Sequence, residues 1–254
     1  MKSTMTALML VGAACAANSA PPRPPGSSVI ASAIGDAARP QTDIQRDADR
    51  RPEATLAWLG LRAGMKVADY ASGGGYFTRL FSTVVGTSGH VYASVPASLL
   101  HFPNIVSGTA SVEDYSRTHP NVSVNVGSAL DVARYPERLD LFWIAQNYHD
   151  LHDDFMGPVD VAAFNRAVFA ALKPGGAYVV LDHVAQPDSP SNVTDTLHRI
   201  EASTVRREVE AAGFRFDGES RILANPGDPH TAGVFDASIR GRTDQFILRF
   251  RRPS

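Results

Sequence analysis

Cysteine and lysine are nearly missing from this chain. Its one cysteine, Cys15, lies close to the start, so a cysteine nucleophile, an iron–sulfur cluster or a thiolate zinc site is excluded from the body of the protein. The three lysines are Lys2, Lys66 and Lys173. The first belongs to a leader and the others border apolar runs, which leaves no good candidate for a Schiff-base lysine. A phosphate-binding P-loop, a GxSxG nucleophile elbow and an HExxH zinc helix are all lacking. Charge of one sign is lacking too: 24 basic side chains against 26 acidic ones argue against a partner bound through its nucleic-acid phosphates. Apolar residues are plentiful. At 254 residues and 44% hydrophobic, the chain can bury a core of one domain, or two small ones, without a disulfide or a structural metal.

Met1 to Ala17 carries an early cation, Lys2, then an apolar run from Ala7 to Val11 that passes into small residues. That is the layout of a secretory signal peptide, and the run is too short to stay in a bilayer as a spanning helix. Ala14 with Ala16, or Cys15 with Ala17, fits a small-x-small cleavage site. A lipoprotein signal, with Cys15 acylated as a lipid anchor, is the alternative. From Ala20 to Ser28 the prolines favour an extended tether. The expected division is therefore a signal peptide over 1–19, a Pro-rich linker over 20–40 and a folded domain over 41–254, in an exported, periplasmic protein.

Beyond residue 40 the hydrophobic period alternates between that of helices and that of strands. Thr42 to Leu61 has helical spacing, Lys66 to Tyr70 reads as a short buried strand, and Ala71 to Gly75 as a tight turn opening a helix over Tyr76 to Val85. Further strands are expected at His90 to Ser94, Val122 to Val126, Leu139 to Ile144 and Gly176 to Asp182, with a helix from Val159 to Leu172 ended by Pro174 and Gly175. Thr196 to Ala212 reads as a helix closed by Gly213. Phe214 to Ser220 and Asp244 to Arg251 alternate as antiparallel edge strands do. The expectation is an α/β, Rossmann-like, mainly parallel seven-stranded sheet with an antiparallel edge and helices on both faces.

In such a sheet the turn after the first strand is the usual ligand contact, and Gly73, Gly74 and Gly75 let backbone N–H groups approach a ligand with no Cβ between. The run from Val67 to Gly75 resembles the first motif of class I S-adenosylmethionine-dependent methyltransferases, and Leu172 to Gly175 resembles their turn into strand five. Arg46 to Ala48 with Arg51-Pro52, Gln146 to His152, Asp182-His183, His198 to Ile200, Asn225-Pro226 with Asp228, and Thr243 to Phe246 resemble, more narrowly, an exported branch described only as predicted methyltransferases. The resemblance implies S-adenosylmethionine as cofactor, with Asp69 orienting its ammonium group, directly or through water, and Ala71, Ser72, Gly73, Gly74 and Gly75 bordering its methionine part. Three positions depart from the family pattern. Ala71 stands for the motif's first glycine, Val95 falls where an acid for the ribose hydroxyls is expected after strand two, and Ser128, taken as a cofactor contact, replaces the acid often found after strand three.

Strands four and five end in Gln146-Asn147-Tyr148-His149 and in Asp182-His183. Both ends open onto one cleft in this architecture, so His149 and His183 are candidate bases for the methyl acceptor, Tyr148 a wall of its pocket, and Gln146 and Asn147 cofactor or turn contacts. Arg46, Asp47 and Arg50 are candidates for a lid. The expected activity is methyl transfer to a small molecule or surface component. The alternatives are a binding protein that keeps the pocket without the chemistry, and a metal-assisted hydrolase or lyase using His149, His152 and Asp182.

Overall fold

The structure is a computed structural model and describes residues 27–157 and 159–254. The leader, its cleavage positions and Cys15 lie outside the described residues. Seven strands form one sheet: β1 (Lys66–Tyr70), β2 (His90–Pro96), β3 (Val122–Gly127), β4 (Leu139–Ala145), β5 (Leu172–His183), β6 (Arg215–Ser220) and β7 (Gln245–Arg251), in the order β3-β2-β1-β4-β5-β7-β6. The first five pair in parallel, while β7 runs antiparallel to both β5 and β6. Strand order reverses between β1 and β4, so a crevice opens where their carboxyl ends diverge.

The helices are α1 (Ser27–Ile34), α2 (Gln41–Ile44), α3 (Asp47–Arg50), α4 (Pro52–Leu59), α5 (Tyr76–Val85), α6 (Pro103–Thr118), α7 (Val161–Ala171), α8 (Val193–Leu197) and α9 (Ala202–Ala211). Alternation along the strands divides the core in two. Ala68, Tyr70, Phe142, Ile144, Tyr178 and Val180 meet Phe164 and Val205 on one face. On the other, Val67, Leu141, Trp143 and Val179 meet Leu56, Phe77, Leu80 and Phe81. Each such large buried side chain is worth about 1.5–3 kcal/mol relative to exposure. Asp69 shares the parity of Val67 and so faces α5. None of the helices among the described residues is long and apolar enough to cross a membrane.

Several sequence expectations change. Residues 27–34, placed in the linker, form α1, whose Ile30 and Ala33 are buried against the α5 side of the core. The single helix expected over Thr42 to Leu61 is α2, α3 and α4. Arg51 adopts a left-handed conformation (φ 42°), and Pro52 has no N–H with which to extend the preceding helix. The helix expected from Thr196 begins only at Ala202. His198 ends α8 in the left-handed region (φ 53°), and Arg199 then sinks into the interior to pair bidentately with Asp228 at 2.9 and 3.1 Å. β2 continues to Pro96, which leaves Val95 buried inside the strand instead of following it.

Candidate active site

The crevice between β1 and β4 holds a cleft of about 800 Å³, within the range of small-molecule sites. One side is the glycine turn. Ala71, Gly73 and Gly75 all have positive φ (53°, 53° and 79°), which glycine tolerates and alanine adopts only at a cost. A Cβ added at Gly73 or Gly74 would meet no atom within 4 Å, so it would project into open space, and both residues line the cleft with Ala71 and Ser72. Ser72 also leaves its buried hydroxyl oxygen without a partner. Gly75 serves packing instead. A Cβ there would stand 2.6 Å from Val112, so α6 rests directly on it and it does not line the cleft. Gly108 of α6 repeats this closeness, since its Cβ would lie 3.0 Å from the backbone of Gly73 and Gly74. No sequence motif pointed to Gly108.

Asp69 lies buried beneath the turn and accepts a 2.6 Å bond from Thr78 Oγ1. Burial raises its carboxyl to about 6, against the pull of Thr78 and of Arg50. Above it runs the α2–α3 segment, anchored by buried ion pairs. Arg79 binds Asp43 through Nε at 2.8 Å and donates to Gly74 O at 2.5 Å, while Arg39 grips Asp47 at 2.7 and 2.9 Å and Tyr76 donates to the same carboxylate at 2.6 Å. Asp47 is thus a fastening. Arg46 and Arg50 line the cleft. Arg50 lies over the Tyr76 and Phe77 rings at 4.5 and 5.3 Å, and its one side-chain hydrogen bond among the described residues is a 3.4 Å contact to Gln146 Oε1. Burial and the neighbouring Arg46 lower its guanidinium to about 10, so a ligand anion here would be favoured.

The other side is built from the ends of β4 and β5. Gln146 turns the chain in the left-handed region (φ 62°), with its N–H on Leu181 O at 2.7 Å and its amide on Gln245 at 3.2 Å. It lines the cleft together with Asn147, His149 and His183. Asp182 is wholly buried and accepts three bonds: from the His149 N–H at 2.9 Å, His149 Nδ1 at 2.8 Å and the His183 N–H at 2.8 Å. His149 Nε2 meets Asp150 Oδ1 at 3.0 Å. Burial opposes charge on this imidazole, yet Asp182 and Asp150 together hold its pKa well above the ordinary value. Asp150 is correspondingly held well below the usual carboxylate range, burial again opposing. The expectation of His149 as a base is corrected here: both ring nitrogens are occupied by carboxylates, so no lone pair is free for an acceptor's proton. His183 behaves oppositely. Burial lowers it to about 3, and its Nδ1 bonds Thr243 Oγ1 at 2.7 Å, so it stays neutral.

Three further expectations are not met. Tyr148 is buried in the core, its hydroxyl shared between Asn165 at 2.8 Å and Glu208 at 3.0 Å, and it does not reach the cleft. Ser128 is exposed and caps a short 3-10 turn, its hydroxyl accepting from Leu130 N–H while its own N–H donates to the Asp131 carboxylate, away from the cleft lining. His152 pairs with Glu208 at 3.2 Å and does not join His149. An acid for the ribose hydroxyls is also missing after the true end of β2: residues 97–112 contain none. Leu99, Phe102, Ile105 and Phe155, with Val234 and Phe235 across the opening, give the cleft an apolar mouth that no motif marked.

No protein-family model matches the chain, and no curated protein matches its sequence. Solved structures do match its fold. An S-adenosylmethionine-dependent methyltransferase from Aquifex aeolicus is 19% identical, with a TM-score of 0.53 over 78% of this chain and 88% of that one. An arsenic(III) S-adenosylmethionine methyltransferase from Chlamydomonas reinhardtii is 16% identical, with a TM-score of 0.54 over 92% of this chain and 75% of that one. SpnF, a (4+2)-cyclase, is 17% identical, with a TM-score of 0.57 over 81% of each chain. The chain has the Rossmann-like fold of the class I methyltransferases, a fold that also carries other chemistry.

Proposed function

We propose that the protein transfers a methyl group from S-adenosylmethionine to a small-molecule acceptor. The observation that carries this reading is the glycine turn at the switch point: Gly73 and Gly74 present bare backbone to open space beside a buried carboxyl, Asp69, and the guanidinium of Arg50, which has no ion pair among the described residues. These groups suit the two charged ends of an amino acid. Asp69 would hold its ammonium group, and Arg50 with Arg46 its carboxylate, by charge-assisted hydrogen bonds. When bound, the cofactor supplies an electrophilic methyl group for in-line displacement. His183, neutral over the working pH range, accepts a hydrogen bond from the acceptor and so orients it. Phe102, Phe155 and Phe235 exclude water and favour an apolar acceptor body.

A second reading, a binding protein that keeps the pocket but has lost cofactor contacts, draws on the missing acid in residues 97–112 and on the cyclase among the structural neighbours. Calorimetry of the full chain with S-adenosylmethionine, followed by a scan of small hydroxyl, amine and thiol acceptors for S-adenosylhomocysteine release, separates the two. Absence of binding at high micromolar cofactor would sink the first and favour the second. Binding without turnover on any acceptor favours the second. Export, with cleavage near Ala16 or Ala17 or acylation of Cys15, is part of the proposal and is checked by N-terminal mass spectrometry of protein purified from a periplasmic fraction.

A further inference from the structure

The histidine side of the cleft carries more charge chemistry than methyl transfer uses. We propose that His149, Asp150 and His198 bind one divalent transition-metal ion in the wall of the cleft. A ligating atom from each residue, two imidazole nitrogens and one carboxylate oxygen, lies within 4.8 Å of the others, and all three residues line the cleft. The site joins the turn after β4 to the end of α8, so its residues are far apart in sequence. It is not the set that spacing suggested, because His152 is taken by Glu208.

The outer partners are those a metal site needs. Buried Asp182 engages His149 Nδ1 at 2.8 Å, which leaves Nε2 turned toward Asp150 and His198. Asn147 Nδ2 donates to Asp150 Oδ2 at 2.7 Å, which leaves Oδ1 turned inward. Hydrogen bonds of this kind set the tautomer and aim of ligands in metal centres. His198 Nδ1 lies 3.9 Å from the same Oδ1, and the His149 and His198 rings stand 5.5 Å apart at 76°. Bonds of about 2.0–2.2 Å to one ion would draw His198 in and open the His149–Asp150 contact slightly.

A second observation is the excess of acids around these ligands. Asp153 is buried beside Thr194; burial raises its carboxyl, and His149, Asp150 and Asp195 are among the charges acting on it. Among the described residues Asp150, Asp153, Asp182 and Asp195 are paired with no lysine or arginine; the ion pairs of Asp150 and Asp182 are with histidines. Four acids stand around three imidazoles, of which His183 stays neutral, and this balance leaves room for a divalent charge. The ion would take the place of the proton between His149 Nε2 and Asp150 Oδ1. Two nitrogens and one oxygen suit zinc, iron(II), cobalt(II) or manganese(II) better than calcium, and three protein ligands leave positions for water or an oxygen ligand in the cleft. None of these contacts involves the glycine turn, so the site stands apart from the methyl-donor reading.

The test strips the full chain with a chelator and titrates it with cobalt(II), read by visible d–d absorption and by calorimetry. One equivalent should bind and be displaced by zinc. His198→Gln and Asp150→Asn should abolish the d–d bands, with folding checked by circular dichroism. Asp182→Asn should weaken binding by about 10–100-fold, and His152→Gln should leave it unchanged. No stoichiometric binding by the wild-type chain overturns the proposal, as does wild-type binding by folded His198→Gln. Should one ligand variant fail to fold, the other decides, and both are read against His152→Gln. S-adenosylmethionine binding, measured on the same metal-free sample, shows whether the methyl-donor reading stands or falls separately.

Discussion

The two sides of the cleft differ in how far their polar groups satisfy one another. Around the glycine turn, Ser72 Oγ has no partner, Arg50 has one long bond, and Gly73 and Gly74 face open space. Around Asp182 the reverse holds: three donors converge on one buried carboxylate, and His149 is gripped at both nitrogens. Unsatisfied groups cost stability and are useful to a ligand, whereas satisfied ones hold the shape of the site. Mutations on the first side should therefore act on cofactor binding with little loss of stability, whereas removing Asp182 on the second should act on folding.

The largest effect that tests this contrast is Asp182→Ala. It strands the His149 imidazolium and two backbone donors, and denaturant unfolding should show a loss of about 3–5 kcal/mol, the scale for breaking a buried charge pair from one side. A loss below about 1 kcal/mol, no more than an ordinary hydrogen bond is worth, would erase the distinction. Next is Gly74→Ala, which should weaken S-adenosylmethionine binding measured by calorimetry while leaving the melting temperature nearly unchanged, because its Cβ meets nothing in the free protein. Arg50→Ala should weaken cofactor binding by about 10–100-fold, the worth of a hydrogen bond to a charged group, with little change in stability. Equal losses in both would make it a structural residue.

A pH titration sharpens the same contrast. Asp69 is neutral below about 6 and ionised above it, so affinity for a cationic ligand should rise as pH climbs through that value, and Asp69→Asn should flatten the profile. Stability carries the opposite sign. A carboxyl raised above its unfolded value of 3.8 stabilises the fold fully below that pH and loses this contribution as pH rises through about 6. On the other side, His149, held above its unfolded value, contributes stability below the ordinary histidine range and loses it only on the alkaline side. His183, lowered from 6.5 to about 3, contributes above the first value and loses it as pH falls toward the second. NMR of the ring protons checks that neither imidazole titrates near the ordinary value of 6.5. The smallest effect belongs to Ala71→Gly: relief of a left-handed alanine should stabilise the metal-free, ligand-free protein by at most about 1 kcal/mol.

Much of the architecture was legible because strand and helix periods are local. The seven strands, the helix after the glycine turn and the antiparallel edge lie where alternation placed them, within a few residues. Breaks inside helical stretches were not legible: the split at Arg51 needs a left-handed residue, and the early end of α8 needs the Arg199–Asp228 pair, whose members are 29 residues apart. Of the site, the turn and the strand-end histidines could be read from position. Tyr148 could not, because its distance from the cleft is decided by Asn165 and Glu208 on other elements. Gly108, His198 as a cleft residue and the apolar mouth gave no signal, since each matters only through what packs against it.

By itself, then, the order of residues determined the sheet, its switch point and the bare backbone at Gly73 and Gly74, because periodicity and the lack of a Cβ act within one segment. Only the tertiary structure decided which groups are free. Whether an imidazole is a base, a cation or a metal ligand depends on which carboxylates reach it, and those of Asp150 and Asp182 reach His149 from two different strand ends.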